Sequence, residues 1–323
     1  MKNFISAIIL FTSLYGNTQD TTAVKQIIEN YPHHFESVDK LAKRINSDFT
    51  LPKEKIRALY YWIATNIDFD SKNDLFNFKI NFITYSDERD KKRQEKIKKE
   101  KRILKTLKTN KAVCLDYSEL FKAVCNKIDV ESEIVIGYSK IFINEISNER
   151  NYKDHAWNVV KVDDSWKLID LTWASAYIKG LPTNIEVEFS DYYLFTNPDE
   201  FISTHFPIEE KWQLTTTKLS KFDFFNAPVF FPNYYKSGFK LVYPKDGTID
   251  VLKKKIKIHF YDVPKNKNLY YSFQNGNQVK PLTIKRSKRG TYIASVKFRN
   301  ESAKLTIYSD FMPILGFKIN SLP

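Results

Sequence analysis

The chain has 323 residues, of which 42% are hydrophobic and 15% aromatic, so it can bury one large or two moderate cores and is not a disordered or collagen-like sequence. Two cysteines cannot staple a chain of this length, and eight glycines leave no phosphate-binding glycine loop. The formal charge is +13, carried by 42 Lys and 9 Arg; lysine offers a mobile point charge rather than the planar fork that reads guanine or phosphate, so specific nucleic-acid recognition is not expected.

Met1-Lys2-Asn3, an apolar run from Phe4 to Leu14 and then small polar residues have the pattern of a secretory signal peptide, assigned to residues 1–18. The run is too short for the ~20 apolar residues of a membrane-spanning helix. The mature protein is therefore expected to be exported, to the periplasm, the cell surface or the medium, with no transmembrane segment. Helical patterning follows. Thr50 is a candidate N-cap and Pro52 suits a first helical turn; Ile56, Leu59, Tyr60, Ile63 and Ile67 then recur at helical spacing.

Between Arg89 and Lys108 stand eleven basic and three acidic residues, which place +8 of the net charge in one segment. With Ile97, Ile103, Leu104 and Leu107 as its apolar positions it reads as a helix with a solvated face; attraction to an anionic surface or an acidic substrate is the functional alternative.

Cys114 stands just before Tyr117, Leu120, Phe121, Val124 and Ile128, whose spacing is that of a buried helix. A cysteine opening a helix meets unpaired N–H groups and the positive end of the helix dipole, which stabilise the nucleophilic thiolate. Cys125 lies eleven residues on. One continuous helix would separate the two by about 16 Å of rise, whereas a disulfide needs Cα atoms roughly 4.4–6.8 Å apart, so Cys125 reads as a small buried residue.

Period-two patterning takes over at Glu133–Tyr138, His155–Val162 and Trp166–Leu171, with Asp163-Asp164-Ser165 as the turn of a hairpin formed by the last two. Antiparallel pairing about that turn brings His155 opposite Asp170 within a residue or two. A nucleophilic thiol requires a base and a group to orient that base, and His155 and Asp170 supply the two roles. Trp157, Trp166 and Trp173 read as hairpin packing. His33 and His34 are adjacent, His205 and His259 are isolated, and no metal-ligand spacing occurs, so neither a metal nor a cofactor is expected.

From Phe222 onward short alternating runs recur at 238–243, 255–260, 269–273, 292–298 and 304–308, separated by turn signals such as Asp246-Gly247 and Asn275-Gly276. Behind a Pro- and Phe-rich junction, this pattern reads as an all-β, immunoglobulin-like sandwich over 222–323.

The blocks Val113–Phe121, His155-Ala-Trp-Asn158 and Trp166–Trp173 resemble those of the transglutaminase-like superfamily, and 191–198 and 204–212 are similar to segments that follow the core in its bacterial, kyphoscoliosis-peptidase-like branch. The resemblance covers about 50–215. It implies an α+β, papain-like core within 19–215, with Cys114 as nucleophile, His155 as general base and acid, and Asp170 as orienter. The implied activity is attack on peptide or isopeptide amides of a protein or peptide substrate, envelope or extracellular, followed by transfer to water or an amine. Asp116 stands where the family commonly has glycine, and the only oxyanion donor assigned is the Cys114 N–H. A binding or scaffolding protein with an idle triad is the alternative.

Overall fold

The computed structural model describes residues 16–70, 87–179, 191–251, 255–273, 279–288, 290–298 and 304–321. Most of the expected leader lies outside them, as do the Asn275-Gly276 turn and the side chains of 16–21 and 176–179. The chain forms two compact units, one of residues 1–134 and 157–194, the other of 135–156 and 195–323.

The first unit is mainly helical: α1 (Gly16–Ile28), α2 (Val38–Asp48), α3 (Pro52–Asn66), α4 (Glu88–Thr109), α5 (Cys114–Cys125) and α6 (Leu171–Lys179), with the short parallel pair β1 (Asp68–Phe69) and β2 (Lys111–Ala112). The five apolar positions read from the sequence of α3 and its end, Ile56 to Ile67, are all fully buried. Its N-cap is Leu51 and not Thr50. Proline disfavours helical backbone in the residue before it, and Leu51 is extended at φ −78°, ψ 132°.

The basic segment is α4, which starts at Asp87, whose carboxylate accepts the Asp90 N–H at 2.8 Å, and stops at Asn110 in the left-handed region at φ 52°. Of its four apolar positions Ile103 and Leu107 are buried, while Ile97 and Leu104 are exposed.

Strand β3 (Ser132–Ser139) precedes the expected hairpin, β4 (His155–Val162) and β5 (Ser165–Ile169), whose register pairs Asn158 with Ile169 and Val162 with Ser165. Asp163 and Asp164 sit at φ 48° and 58°, the two left-handed residues that a tight hairpin requires.

In the second unit β6 (Leu194–Thr196), α7 (Pro198–Phe201) and β7 (His205–Pro207) lead on to the Phe-rich junction, and β7 pairs with the end of β3, Ser139 opposite His205. The junction contains two short helices, α8 (Lys221–Asn226) and α9 (Pro232–Ser237), with β8 (Val229–Phe230) between them. Their N-termini follow local rules: the Ser220 hydroxyl accepts the Asp223 N–H, and Pro232 occupies the first turn.

The rest is β: β9 (Leu241–Tyr243), β10 (Thr248–Val251), β11 (Lys255–Phe260), β12 (Leu269–Phe273), β13 (Lys280–Pro281), β14 (Ile284–Arg286), β15 (Tyr292–Lys297), β16 (Lys304–Ser309) and β17 (Met312–Ser321). One sheet runs β10-β17-β16-β12-β13 with β8 beside β17, the other β14-β15-β11-β9. Ile256, Ile258, Phe260, Ala294 and Val296 of one sheet share a core with Leu305, Ile307, Leu315 and Phe317 of the other. The fold is thus α+β with a β-rich C-terminal part. Strand β10 runs parallel to β17, so that sheet is mixed.

Candidate active site

Cys114 is the first residue of α5, is 3% exposed, and follows Val113, which is extended at φ −101°, ψ 174°. Its N–H belongs to the first helical turn, where no intrahelical acceptor exists, and points the helix's positive end at the thiol's surroundings. Both cysteines are free. Cys125 closes the same helix, fully buried, and burial pushes its thiol up, which leaves it a poor nucleophile.

Asp116 caps the turn that carries Cys114, its carboxylate accepting the Val113 N–H at 3.2 Å. Burial pushes the Asp116 carboxyl above its ordinary range, against the opposing pull of that N–H and of Arg102, whose Nε lies 3.9 Å from Oδ1.

Two further contacts hold α5. The Tyr117 hydroxyl lies 2.9 Å from the Ile67 carbonyl and 3.0 Å from Ser175 Oγ, which joins α5 to the end of α3 and to α6. Asn158 Nδ2 donates to the Ser118 carbonyl at 3.1 Å, which joins α5 to β4. Local spacing alone gives Asn158 no role. The signal in the sequence is an Asn set among Ala156, Trp157, Val159 and Val160, because a buried amide needs a specified partner.

Asp170 is fully buried directly after β5. Its N–H donates to the Tyr193 carbonyl at 3.1 Å and its Oδ1 accepts the Trp173 N–H at 3.0 Å, so the carboxylate caps α6. One step beyond the last paired residues the β4–β5 register sets Trp157, rather than His155, against Asp170. His155 lies two residues further along β4, on the same strand face as Trp157.

His155 is buried at the start of β4. His205, which sequence spacing leaves isolated, lies beside it with ring centroids 5.2 Å apart. Its own ring stacks on Phe201 at 3.9 Å, and Nδ1 is 2.9 Å from Thr204 Oγ1. Fifty residues apart in sequence, these two imidazoles come together through β7, with ring nitrogens within 4.8 Å of each other.

Residues 39–171 match the family model of the transglutaminase-like superfamily. These residues are a transglutaminase-like core.

Mouse kyphoscoliosis peptidase is 29% identical to the chain over 224 residues, which are 69% of this chain and 30% of that protein. Hillarin of Drosophila melanogaster is 25% identical over 134 residues, 38% of this chain and 16% of that protein. The chain thus spans less than a third of the length of these relatives. The crystal structure of a TGase aligns at 15% identity with a TM-score of 0.29, covering 57% of this chain and 40% of that one. The transglutaminase-like core encloses Cys114, His155 and Asp170 in that order.

Proposed function

We propose that the transglutaminase-like core is a cysteine enzyme that attacks peptide or isopeptide amides, with Cys114 as nucleophile, His155 as general base and acid, and Asp170 as the group that orients the imidazole. The observation that carries this reading is the family match over 39–171, which contains all three residues. The name of the mouse relative, a peptidase, supports the substrate class. Within the first unit, the helix-start position of Cys114 and the capping contact of Asp170 suit the roles given to them.

In this mechanism His155 takes the Cys114 thiol proton as the sulfur bonds to the amide carbonyl carbon, and the Cys114 N–H faces the oxygen as it becomes an oxyanion. His155 protonates the amine as the C–N bond breaks, leaving a thioester. Water or a second amine then gives its proton to His155 and displaces the sulfur. We further propose that the protein acts after export, on envelope or extracellular proteins; mass analysis of the N-terminus in cell fractions tests this, and an unprocessed chain in the cytoplasmic fraction would exclude it.

The burial of Cys114 favours a second reading, a binding or scaffolding protein whose triad is idle. An unfolded test protein, incubated with and without a fluorescent primary amine, decides between them. Cleavage or amine incorporation that disappears in Cys114→Ala and in His155→Ala establishes the enzyme, and a wild type that forms no product above the level of both variants establishes the idle triad.

A further inference from the structure

The segment between β3 and β4 leads directly into His155 and carries charged groups for which the proposed chemistry has no use. Arg150 is at its centre, with a side chain only 10% exposed. One terminal nitrogen of its guanidinium pairs with Glu145 at 2.9 Å and with Asp154 at 2.5 Å. The other donates to the Ser139 carbonyl, and the guanidinium carbon lies 5.5 Å from the centre of the Phe225 ring.

Both carboxylates are also tied to the backbone. Glu145 Oε2 accepts the N–H groups of Ile141 and Phe142 at 2.8 and 2.7 Å. Asp154 Oδ1 accepts the Ser139 N–H at 2.8 Å, while the Asp154 N–H donates to the Gly137 carbonyl at 3.2 Å. One guanidinium therefore joins the end of β3, the turn Ile143–Glu145 and the residue immediately before His155.

The same segment is seated on the β-rich part of its unit. A Cβ on Gly316 of β17 would lie 2.6 Å from Ile143 Cγ1, and one on Gly247 would lie 2.8 Å from Ile146 Cγ2, so both glycines serve close approach. The Ser147 N–H donates to the Phe225 carbonyl at 2.9 Å. With its surroundings fixed in this way, the segment has few other places to put Asp154 once Arg150 holds it.

We propose that Arg150 is a positioning residue for His155, acting through Asp154. The inference rests on the reading of His155 as the general base. Two carboxylates and a carbonyl are met by two separate nitrogens of one planar group, whereas an ammonium would have to serve all three acceptors from a single nitrogen. In a chain with 42 Lys and 9 Arg, an arginine at this place has a geometric reason.

The test follows the His155 imidazole by NMR in the full chain, its resonance assigned by loss in His155→Ala, together with the rate at which iodoacetamide alkylates Cys114. Arg150→Met, Arg150→Lys and Asp154→Asn are compared with wild type, with thermal melting as the check on folding. The proposal predicts a displaced or doubled His155 resonance, an altered titration curve and Cys114 alkylation slowed about tenfold in all three variants, as a slightly misplaced base would give. Asp154→Asn keeps an acceptor for the Ser139 N–H, and Arg150→Lys keeps the charge, so one of them carries the test where Arg150→Met fails to fold. Folded variants with a wild-type His155 resonance and titration overturn the proposal. If Cys114 in the wild type is indifferent to His155→Ala, the reading of the triad fails, and the His155 resonance still reports on Arg150 separately.

Discussion

Arg102 of α4 grips Glu119 of α5 with two nitrogens, Nε to Oε2 at 2.8 Å and the terminal nitrogen to Oε1 at 2.5 Å. The helix that carries the chain's densest positive charge is thus bolted to the helix that carries Cys114. Glu119 is buried, so removing its partner leaves a carboxylate with an unmet desolvation cost. Arg102 is 37% exposed, which keeps the effect below the 3–5 kcal/mol of a fully buried pair. Arg102→Ala is expected to destabilise the protein by about 2 kcal/mol in urea unfolding. The same change at the exposed Lys101 is expected to fall within about 0.5 kcal/mol; equal losses at both sites would show that the pair contributes nothing specific.

Asp116 gives a prediction in pH. Its carboxyl is raised in the folded state, chiefly by burial, so the folded chain holds this proton more tightly than the unfolded chain does. The stability it contributes is fully present below the ordinary carboxylate pKa of about 3.9 and is lost as pH rises through its folded value. Asp116→Asn, which can still accept the Val113 N–H, is therefore expected to melt above wild type at neutral pH. The advantage should vanish on acidification to about pH 4. A variant less stable than wild type at neutral pH would show that the pull of Arg102 outweighs burial.

Lys140 predicts a slope of the opposite sign. It is fully buried, donates to the carbonyls of Phe224 and, at 2.8 Å, Ala227, and burial pushes its pKa down to about 7, partly offset by Glu145. Between about pH 7 and its unfolded value of about 10.4 the unfolded chain binds the additional proton, so stability rises with pH through that window. Below it the cost of the buried charge is present in full. One such group contributes at most about 1.4 kcal/mol per pH unit. Urea midpoints measured across the window should climb in wild type and climb less in Lys140→Met; parallel curves would place the titration elsewhere.

Local pattern made much of this architecture legible. The bounds of β4, β11 and β12 match their alternating runs, and the apolar spacing after Cys114 gives α5. Strand β17 has no local signature, although it is hydrogen-bonded on both sides in its sheet, because Pro313 and Gly316 interrupt its pattern. Pro313 is accommodated at a shift in register between Ile307 and Tyr308, and Gly316 is required by Ile143. These are consequences of tertiary contact, which no local period encodes.

The candidate site divides in the same way. The helix start at Cys114 and the strands that carry His155 and precede Asp170 follow local pattern, whereas Arg150 with Asp154, Asn158 with Ser118, and His205 beside His155 depend on side chains meeting across loops. The basic helix reads as a solvated face, and most of it is; its contact with α5 is marked by Arg102, with Ile103 and Leu107 buried beside it in sequence.

The central claim, that Cys114 is a nucleophile served by His155, is tested most directly by the rate of iodoacetamide alkylation at neutral pH in the folded protein. Cys125→Ser supplies the background, and the rate is compared with that of the same protein carrying His155→Ala. The account predicts alkylation at Cys114 and a rate that falls at least tenfold when His155 is lost, as expected when a base no longer assists the thiolate. A Cys114 that is unreactive, or that reacts equally fast without His155, would contradict it.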